Sequence, residues 1–243
     1  MRKILFIITI LSIVLTACGG GGGGGEGSSS PTNQSIAGIW IGSFTSSIFH
    51  STYGITGIVT ESGVARFAAT SSLTQYSGVL KVSGNKFTST VTGYFPSGSY
   101  AGMGDIAGTF TPKGIMNGTY SSTIDKGTFS FAYSSLYERP SSLSAIAGTW
   151  TDYSSGDYET ITINSSGNIT RPPISGCTTS GNISIIDSRY NAYQVSLTVN
   201  NCGSQNGSYS GLAVLTDTNT ANDTFFASAS NGSYSFVAEL RRK

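Results

Sequence analysis

Residue types that could perform acid–base or nucleophilic chemistry are sparse in this chain. It contains one histidine, His50, which is followed by Ser51. A serine nucleophile needs a histidine base that is itself oriented by a carboxylate, and no acidic residue can be assigned to His50 from the sequence. Because an active site needs the full set of groups, we expect no catalytic residues and no enzymatic activity.

Oxygen-bearing side chains could in principle bind calcium at two places. The two clusters are Asp152, Asp157 and Glu159, and Asp217, Asn219, Asn222 and Asp223. Neither has the ligand spacing, central glycine and closing glutamate of an EF-hand. Asp and Asn also form tight turns, so we interpret both clusters as turns and expect no metal and no cofactor.

The N-terminus has the pattern of an export signal. Arg2 and Lys3 precede an apolar run from Ile4 to Leu11 that continues after Ser12. A charged start and a short apolar core are typical of a signal peptide, and a transmembrane helix would need about 20 apolar residues. We therefore predict that this segment directs export.

The segment Leu15-Thr16-Ala17-Cys18 resembles the lipobox of bacterial lipoproteins. The resemblance implies that residues 1–17 are removed and that the thiol of Cys18 carries a lipid. Several acyl chains on one protein attach it stably to a membrane, so we expect the mature protein to be anchored. In such lipoproteins Gly19 after the cysteine implies the outer membrane, on either its periplasmic or its surface face. Residues 18–35 are rich in glycine and serine and are predicted to be a flexible tether.

Charged residues make up only 10% of the chain, against about a quarter in an average domain. Loss of Arg2 and Lys3 from the 13 basic residues would leave a nearly neutral protein, since there are 12 acidic residues. Nucleic-acid binding requires a basic stripe, and the sequence has none. We expect no nucleic-acid partner.

An internal repeat divides the rest of the chain. Three pairs of segments correspond: Ile36-Ala37-Gly38-Ile39-Trp40 with Ile146-Ala147-Gly148-Thr149-Trp150, Glu61-Ser62-Gly63-Val64 with Ser165-Ser166-Gly167-Asn168, and Gly127-Thr128-Phe129-Ser130-Phe131-Ala132 with Gly232-Ser233-Tyr234-Ser235-Phe236-Val237. Each copy has the size of one domain. We predict domains at 36–139 and 146–243, joined by a linker at 140–145.

Within each copy apolar residues alternate with polar ones, as in Phe129, Phe131 and Tyr133. Alternation is the period of a strand with one buried face, and Asn-Gly and similar pairs supply hairpin turns between the runs. The number of runs between turns predicts about eight strands per copy. Consecutive hairpins remove their exposed edges by closing into an up-and-down barrel, so we predict an all-β chain of two tandem antiparallel barrels, with a β-sandwich as the alternative.

The Gly-x-Trp of each opening strand resembles the first-strand motif of lipocalins and related calycin barrels. The resemblance implies that the tryptophan closes one barrel end beneath an arginine that follows the last strand. It pairs Trp40 with Arg139 and Trp150 with Arg241. Both copies are shorter than typical lipocalins, and an eight-stranded barrel can be filled by side chains or hold one small ligand.

With Cys18 assigned to lipid, Cys177 and Cys202 remain in an oxidising export compartment. Both lie equally far from a predicted turn at Ser188 to Asn191, so they face each other across a hairpin. We predict a disulfide rather than a metal site, because no histidine or further cysteine lies near enough in sequence to complete a tetrahedral zinc site.

These features favour a monomeric, non-enzymatic binding or interaction module at the cell envelope, contacting a protein, a glycan or a small apolar ligand. Aromatic residues near strand ends could form the contact, although packing would also explain them. The candidates are Tyr94, Phe95, Tyr100, Tyr153 and Tyr158.

Three alternatives stay open. Small lipoprotein barrels with a disulfide resemble membrane-bound inhibitors of c-type lysozyme, and Ser155-Gly156-Asp157-Tyr158 is similar to their Ser-Gly-x-x-Tyr loop with one residue fewer. The second is a small apolar ligand inside a lipocalin-like cavity. The third is a purely structural role.

Overall fold

The computed structural model describes residues 32–69, 74–123, 125–152 and 160–243. It contains two antiparallel β-barrels in tandem, each with a ring of eight strands, which confirms the predicted all-β architecture. Cys18, Tyr153 and Tyr158 lie outside the described residues, as does the segment that resembles a lysozyme-inhibitor loop.

The first barrel is formed by β1 (Gly38–Ser46), β2 (Thr52–Val59), β3 (Val64–Ala68), β4 (Gln75–Val79), β6 (Lys86–Tyr94), β7 (Tyr100–Phe110), β8 (Ile115–Ser122) and β9 (Lys126–Ser134). Sequential neighbours pair, β1 pairs with β9, and β4 pairs with β6 to complete the ring. The short strand β5 (Lys81–Ser83) pairs with β6 outside it.

The second barrel is formed by β10 (Gly148–Thr151), β11 (Thr160–Ile163), β12 (Asn168–Thr170), β13 (Thr178–Ile185), β14 (Tyr193–Asn200), β15 (Gly207–Thr216), β16 (Thr224–Ser230) and β17 (Ser235–Arg242). Between the barrels lie a 3-10 turn (Ser135–Glu138) and the one-turn helix α1 (Leu143–Ile146). In the part of the chain described, no helix is long and apolar enough to cross a bilayer.

The alternating pattern places aromatic rings inside the first barrel. On β9, Phe129 and Phe131 are buried whereas Thr128 and Ser130 are exposed. Phe44 lies at the centre of this core, with ring centroids 5.4 and 5.5 Å from those of Phe129 and Phe131. Such aromatic contacts stabilise a core beyond their buried area.

One repeated segment forms the same turn in both barrels. Gly63 and Gly167 both have φ of +82°, and their carbonyl oxygens accept the backbone N–H of Leu80 and of Ile183 at 2.8 Å. A Cβ would lie 2.6 Å from the carbonyl oxygen of Leu80 and 2.1 Å from that of Ile183. Glycine is therefore required here by backbone conformation and by space.

The third repeated segment is not equivalent in strand register, which corrects the sequence alignment. Trp40 pairs with Tyr133 and Trp150 pairs with Arg242, so the counterpart of Phe131 two residues earlier is Leu240 rather than Phe236. The sequence match is displaced by four residues along β17. Because four is an even number, the displacement leaves every side chain on the same face of the sheet.

Cys177 and Cys202 form the predicted disulfide, with 4.7 Å between their Cα atoms. The ladder of β13 and β14 runs from Thr178 opposite Asn200 to Ile185 opposite Tyr193. The bond therefore joins the two strands just beyond the ladder, at the end opposite the connecting turn.

The two barrels pack against each other, and the described residues form one compact unit. A buried apolar cluster includes Ile39 and Ile58 from the first barrel and Leu212 and Phe226 from the second. The ring of Tyr137 stacks on that of Tyr190, with 4.8 Å between the centroids.

Polar contacts cross the same interface. Arg66 of β3 donates to the hydroxyl of Ser230 at 2.9 Å and to the carbonyl of Ser210 at 2.8 Å. The loop between β6 and β7 also pairs with the second barrel, because Ser235 donates its backbone N–H to the carbonyl of Gly98 at 2.8 Å. Packing and hydrogen bonds together fix the barrels as one unit.

Candidate functional site

The tryptophan of the repeated motif lies in the first strand of each barrel. Trp40 and Trp150 are completely buried. Their indole N–H groups donate to the carbonyl four residues earlier, in Ile36 at 3.0 Å and in Ile146 at 2.8 Å. The same hydrogen bond therefore fixes the indole ring in both copies.

The glycine of the Gly-x-Trp motif leaves room for the group that covers the indole. A Cβ on Gly38 would lie 2.7 Å from the ring of Tyr133, and one on Gly148 would lie 2.8 Å from Nη1 of Arg242. Gly148 also has φ of +140°, which L side chains rarely adopt. Glycine at this position therefore leaves room for Tyr133 beside Trp40 and for Arg242 over Trp150.

In the second barrel the covering group is Arg242, which corrects the assignment of Arg241. The guanidinium carbon of Arg242 lies 4.3 Å from the centroid of the Trp150 ring. Arg242 is the residue paired with Trp150 across β10 and β17, whereas Arg241 pairs with Thr151. Since adjacent residues of a strand point to opposite faces, Arg241 lies on the outer side.

In the first barrel the pairing of Trp40 with Arg139 is also wrong. The position opposite Trp40 is occupied by Tyr133, whose ring meets the indole edge-on with 5.6 Å between centroids. Arg139 follows the 3-10 turn and forms two hydrogen bonds with Asp217, at 2.6 and 2.5 Å. Arg139 therefore links the first barrel to the second.

The end of the first barrel away from Trp40, which we call the mouth, lies where β1, β3, β6 and β8 end and β2, β4, β7 and β9 begin. A cavity of about 120 Å³ opens there. Its lining is mostly apolar and includes Phe44, Phe67, Tyr76, Val91, Phe95, Met103, Ile106 and Tyr120. The barrel core is thus filled near Trp40 and hollow near the mouth.

A carboxylate lies at the edge of this cavity. Asp125, in the β8–β9 turn, accepts hydrogen bonds from the Tyr120 hydroxyl on Oδ2 at 2.7 Å and from the Ser46 hydroxyl on Oδ1 at 2.7 Å. The backbone N–H of Lys126 also donates to Oδ1. These bonds hold the carboxylate beside the aromatic wall.

Tyr76 faces the same cavity. Among the described residues its hydroxyl has no hydrogen-bond partner, although its ring packs on Phe44 with 5.2 Å between centroids. Burial, and secondarily the negative charge of Asp125, raises the pKa of Tyr76 to about 12. The phenol is therefore neutral at physiological pH and free to bond to a ligand.

Exposed apolar side chains surround the mouth. Phe95 and Tyr100 are 46% and 49% exposed, as expected for contact residues. Met103, Ile48 and Phe49 are also exposed there. Exposed apolar side chains around a cavity are a feature of binding sites.

Tyr94 lines the cavity but is only 2% exposed, which corrects its prediction as an exposed contact residue. It lies near Arg66, and burial lowers the pKa of that guanidinium. Arg66 is hydrogen bonded to the second barrel. Burial of Tyr94 depends on contacts outside its own strand, which the sequence pattern of that strand does not reveal.

The sequence interpretation missed the site formed by Tyr76, Tyr120 and Asp125. The available signal was Asp125-Lys126-Gly127, which indicates a turn. Nothing in that tripeptide indicates that the turn lies at a barrel mouth, where Asp125 bonds to Tyr120 and lies near Tyr76, a residue distant in sequence.

The other candidate groups form no site in the described residues. His50 has φ of +50° in the exposed β1–β2 loop, without a carboxylate partner in the part of the chain described. The Asp223 carboxylate accepts the backbone N–H groups of Thr218, Asn219 and Thr220, so this cluster is a turn. Among the residues that the structure describes, His, Cys, Asp and Glu form no group of three or more that could hold a metal ion.

Comparison of this chain with protein-family models, curated proteins and solved structures gives no match.

Proposed function

We propose that this protein is a lipid-anchored, non-enzymatic binding module of the cell envelope, and that the mouth of its first barrel binds a small apolar ligand. The observation that carries the proposal is the cavity at that mouth, which combines an aromatic lining with exposed apolar residues around its opening. Ligand sites in proteins are characteristically concave, apolar and equipped with few polar groups.

The size of the cavity limits the ligand. An apolar protein cavity of about 150 Å³ holds one benzene molecule, and this cavity measures about 120 Å³. A single aromatic ring or a short branched chain fits, whereas a long acyl chain or a steroid does not. A side chain presented by a larger partner would satisfy the same limit.

The lipocalin-like character of the barrels supports binding at the mouth. Trp40 closes the opposite end, and Trp150 beneath Arg242 closes the equivalent end of the second barrel. A barrel closed at one end by a tryptophan and open at the other can admit a ligand from one side. We propose that this protein uses the arrangement in its first barrel.

Binding of toluene tests the proposal, measured by ligand-observed NMR on the purified protein. Gly93→Leu should abolish binding, because Gly93 lines the cavity and a Cβ there meets the nearest atom, in Tyr76, at 3.6 Å. The added side chain can occupy the cavity without a backbone clash.

Gly54→Leu is the matched control, since a Cβ on Gly54 has no heavy atom within 4 Å. It should leave toluene binding intact. Failure of the unaltered protein to bind toluene at millimolar concentration would overturn the apolar-ligand proposal, as would undiminished binding by Gly93→Leu.

The anchor is proposed on the lipobox resemblance at Cys18 and is tested separately. Mass spectrometry of the protein isolated from membranes should show an N-terminal acylated Cys18 and loss of residues 1–17. Cys18→Ala should release the protein from the outer-membrane fraction. An unmodified Cys18 in the isolated protein would disprove lipid anchoring without bearing on the cavity.

A further inference from the structure

We propose that the cavity of the first barrel selects small organic cations, namely amines with an aromatic or branched apolar group. This inference rests on the proposed function, because it names the ligand class of the same site. It is drawn from the charges and rings around the cavity.

The described residues that line the cavity carry charge of one sign only. Asp105 and Asp125 are acidic, and no lysine, arginine or histidine is among them. In the described part of the chain neither carboxylate forms a salt bridge. The Lys126 side chain, although next to Asp125 in sequence, is exposed on β9.

Asp125 is held in place without being neutralised. Its three hydrogen-bond donors are the hydroxyls of Ser46 and Tyr120 and the backbone N–H of Lys126, all of which are uncharged. Oδ2 has one of these donors, so a lone pair remains for a ligand. A carboxylate fixed this way attracts a cation strongly, because hydrogen bonds between charged groups are the stronger class.

Aromatic rings next to this carboxylate also favour a cation. The Phe44 ring lies 5.1 Å from that of Tyr120 and 5.2 Å from that of Tyr76, measured between centroids. Ring faces attract ammonium groups through their quadrupole, more strongly where water is excluded. An ammonium group near Asp125 with its apolar part among the rings would use both interactions.

Asp105, at the rim of the cavity, also favours cations over anions. Its carboxylate accepts the hydroxyl of Thr90 at 2.7 Å and lies on the exposed face of β7. There it repels anions approaching the opening but is screened by solvent. Asp125 therefore dominates the preference.

The test compares three ligands of similar size: benzylamine, toluene and benzoate, titrated into the full-length folded protein at pH 7. Benzylamine should bind about tenfold more tightly than toluene, the gain expected of one charge-assisted hydrogen bond, and benzoate should bind more weakly than toluene. Asp125→Asn keeps the shape of the side chain and should lower the ratio of benzylamine affinity to toluene affinity, both measured on the variant, from about ten to about one. Asp105→Asn is the control and should retain most of the preference.

A second measurement needs no variant. Raising the salt concentration should weaken benzylamine binding and leave toluene binding unaltered, because salt screens only the charged interaction. Equal affinity for benzylamine and toluene would overturn the cation proposal and leave apolar binding standing. If none of the three ligands binds, both proposals fail.

Discussion

Arg242 covers Trp150, with 4.3 Å between the guanidinium carbon and the centroid of the indole ring. The same guanidinium donates to the carbonyl oxygens of Ala147 at 2.9 Å and Ala145 at 2.5 Å. It therefore links β17, the last strand of the second barrel, to the segment just before β10, the first strand of the same barrel. The ladder between β10 and β17 has only two residue pairs in the described chain, so this contact contributes substantially to closure.

Replacement of Arg242 by alanine should lower the free energy of unfolding by about 2 kcal/mol, from the lost cation–π contact and hydrogen bonds. Urea denaturation measures the change. Arg241→Ala is the matched control, because Arg241 is exposed on the other face, and it should shift stability by less than about 0.5 kcal/mol. Equal losses in the two variants would contradict the assignment of Arg242 as the closing residue.

The one-residue difference between Arg241 and Arg242 shows where sequence reasoning stops. Alternation identified the strands and the Gly-x-Trp repeat identified the opening strand of each barrel, since both patterns are local. Which arginine covers Trp150 depends on the register between the first and last strands, and a shift of one residue exchanges the two faces. The four-residue displacement in the third repeated segment leaves no trace in the alternating pattern, because an even shift keeps every side chain on the same face.

The interface between the barrels predicts that they unfold together. Each barrel has one tryptophan, Trp40 or Trp150, so Trp40→Phe and Trp150→Phe give proteins in which fluorescence reports one barrel. In either background Tyr137→Ala should lower the free energy of unfolding by about 3 kcal/mol, as is usual for a large buried aromatic side chain. Tyr137 is only 3% exposed, and its ring stacks on that of Tyr190.

Tyr100→Ala is the control for this experiment, because Tyr100 is 49% exposed and its loss should cost little. Both fluorescence reporters should shift by the same amount in Tyr137→Ala. A shift confined to one barrel would show that the two unfold independently.

Neither the interface between the barrels nor the cavity could be predicted from the sequence, and the physical reason is the same for both. Asp125 with Tyr76, and Arg66 with Ser230, are separated by 49 and 164 positions, and their meeting depends on closure of a barrel or on docking of one barrel against the other. Turn residues and strand alternation are local patterns, and they predict neither barrel closure nor the docking of the barrels. The disulfide was predictable because a single hairpin brings its two cysteines together.

The Cys177–Cys202 bond should stabilise the unit by about 3 kcal/mol, since it closes a loop with a sequence separation of 25 and restricts the unfolded chain accordingly. The double variant Cys177→Ser and Cys202→Ser should show this loss in urea denaturation without a change in fold by circular dichroism. Addition of a reductant should destabilise the original protein and leave the double variant unaffected. An effect of reductant on the double variant would mean that the loss has another origin.

Alkaline pH should destabilise the first barrel through Tyr76. Burial raises the pKa of its hydroxyl from an ordinary value of 10 to about 12 in the fold, so the folded state retains the proton more tightly than the unfolded state. The associated stability is complete below pH 10 and is lost as the pH rises through about 12. Tyr76→Phe should therefore reduce the slope of stability against pH in this range, and the difference in tyrosinate absorbance between the two proteins should have its midpoint near pH 12. A midpoint near 10 would show that the ring is hydrated and would remove Tyr76 from the wall of the proposed binding cavity.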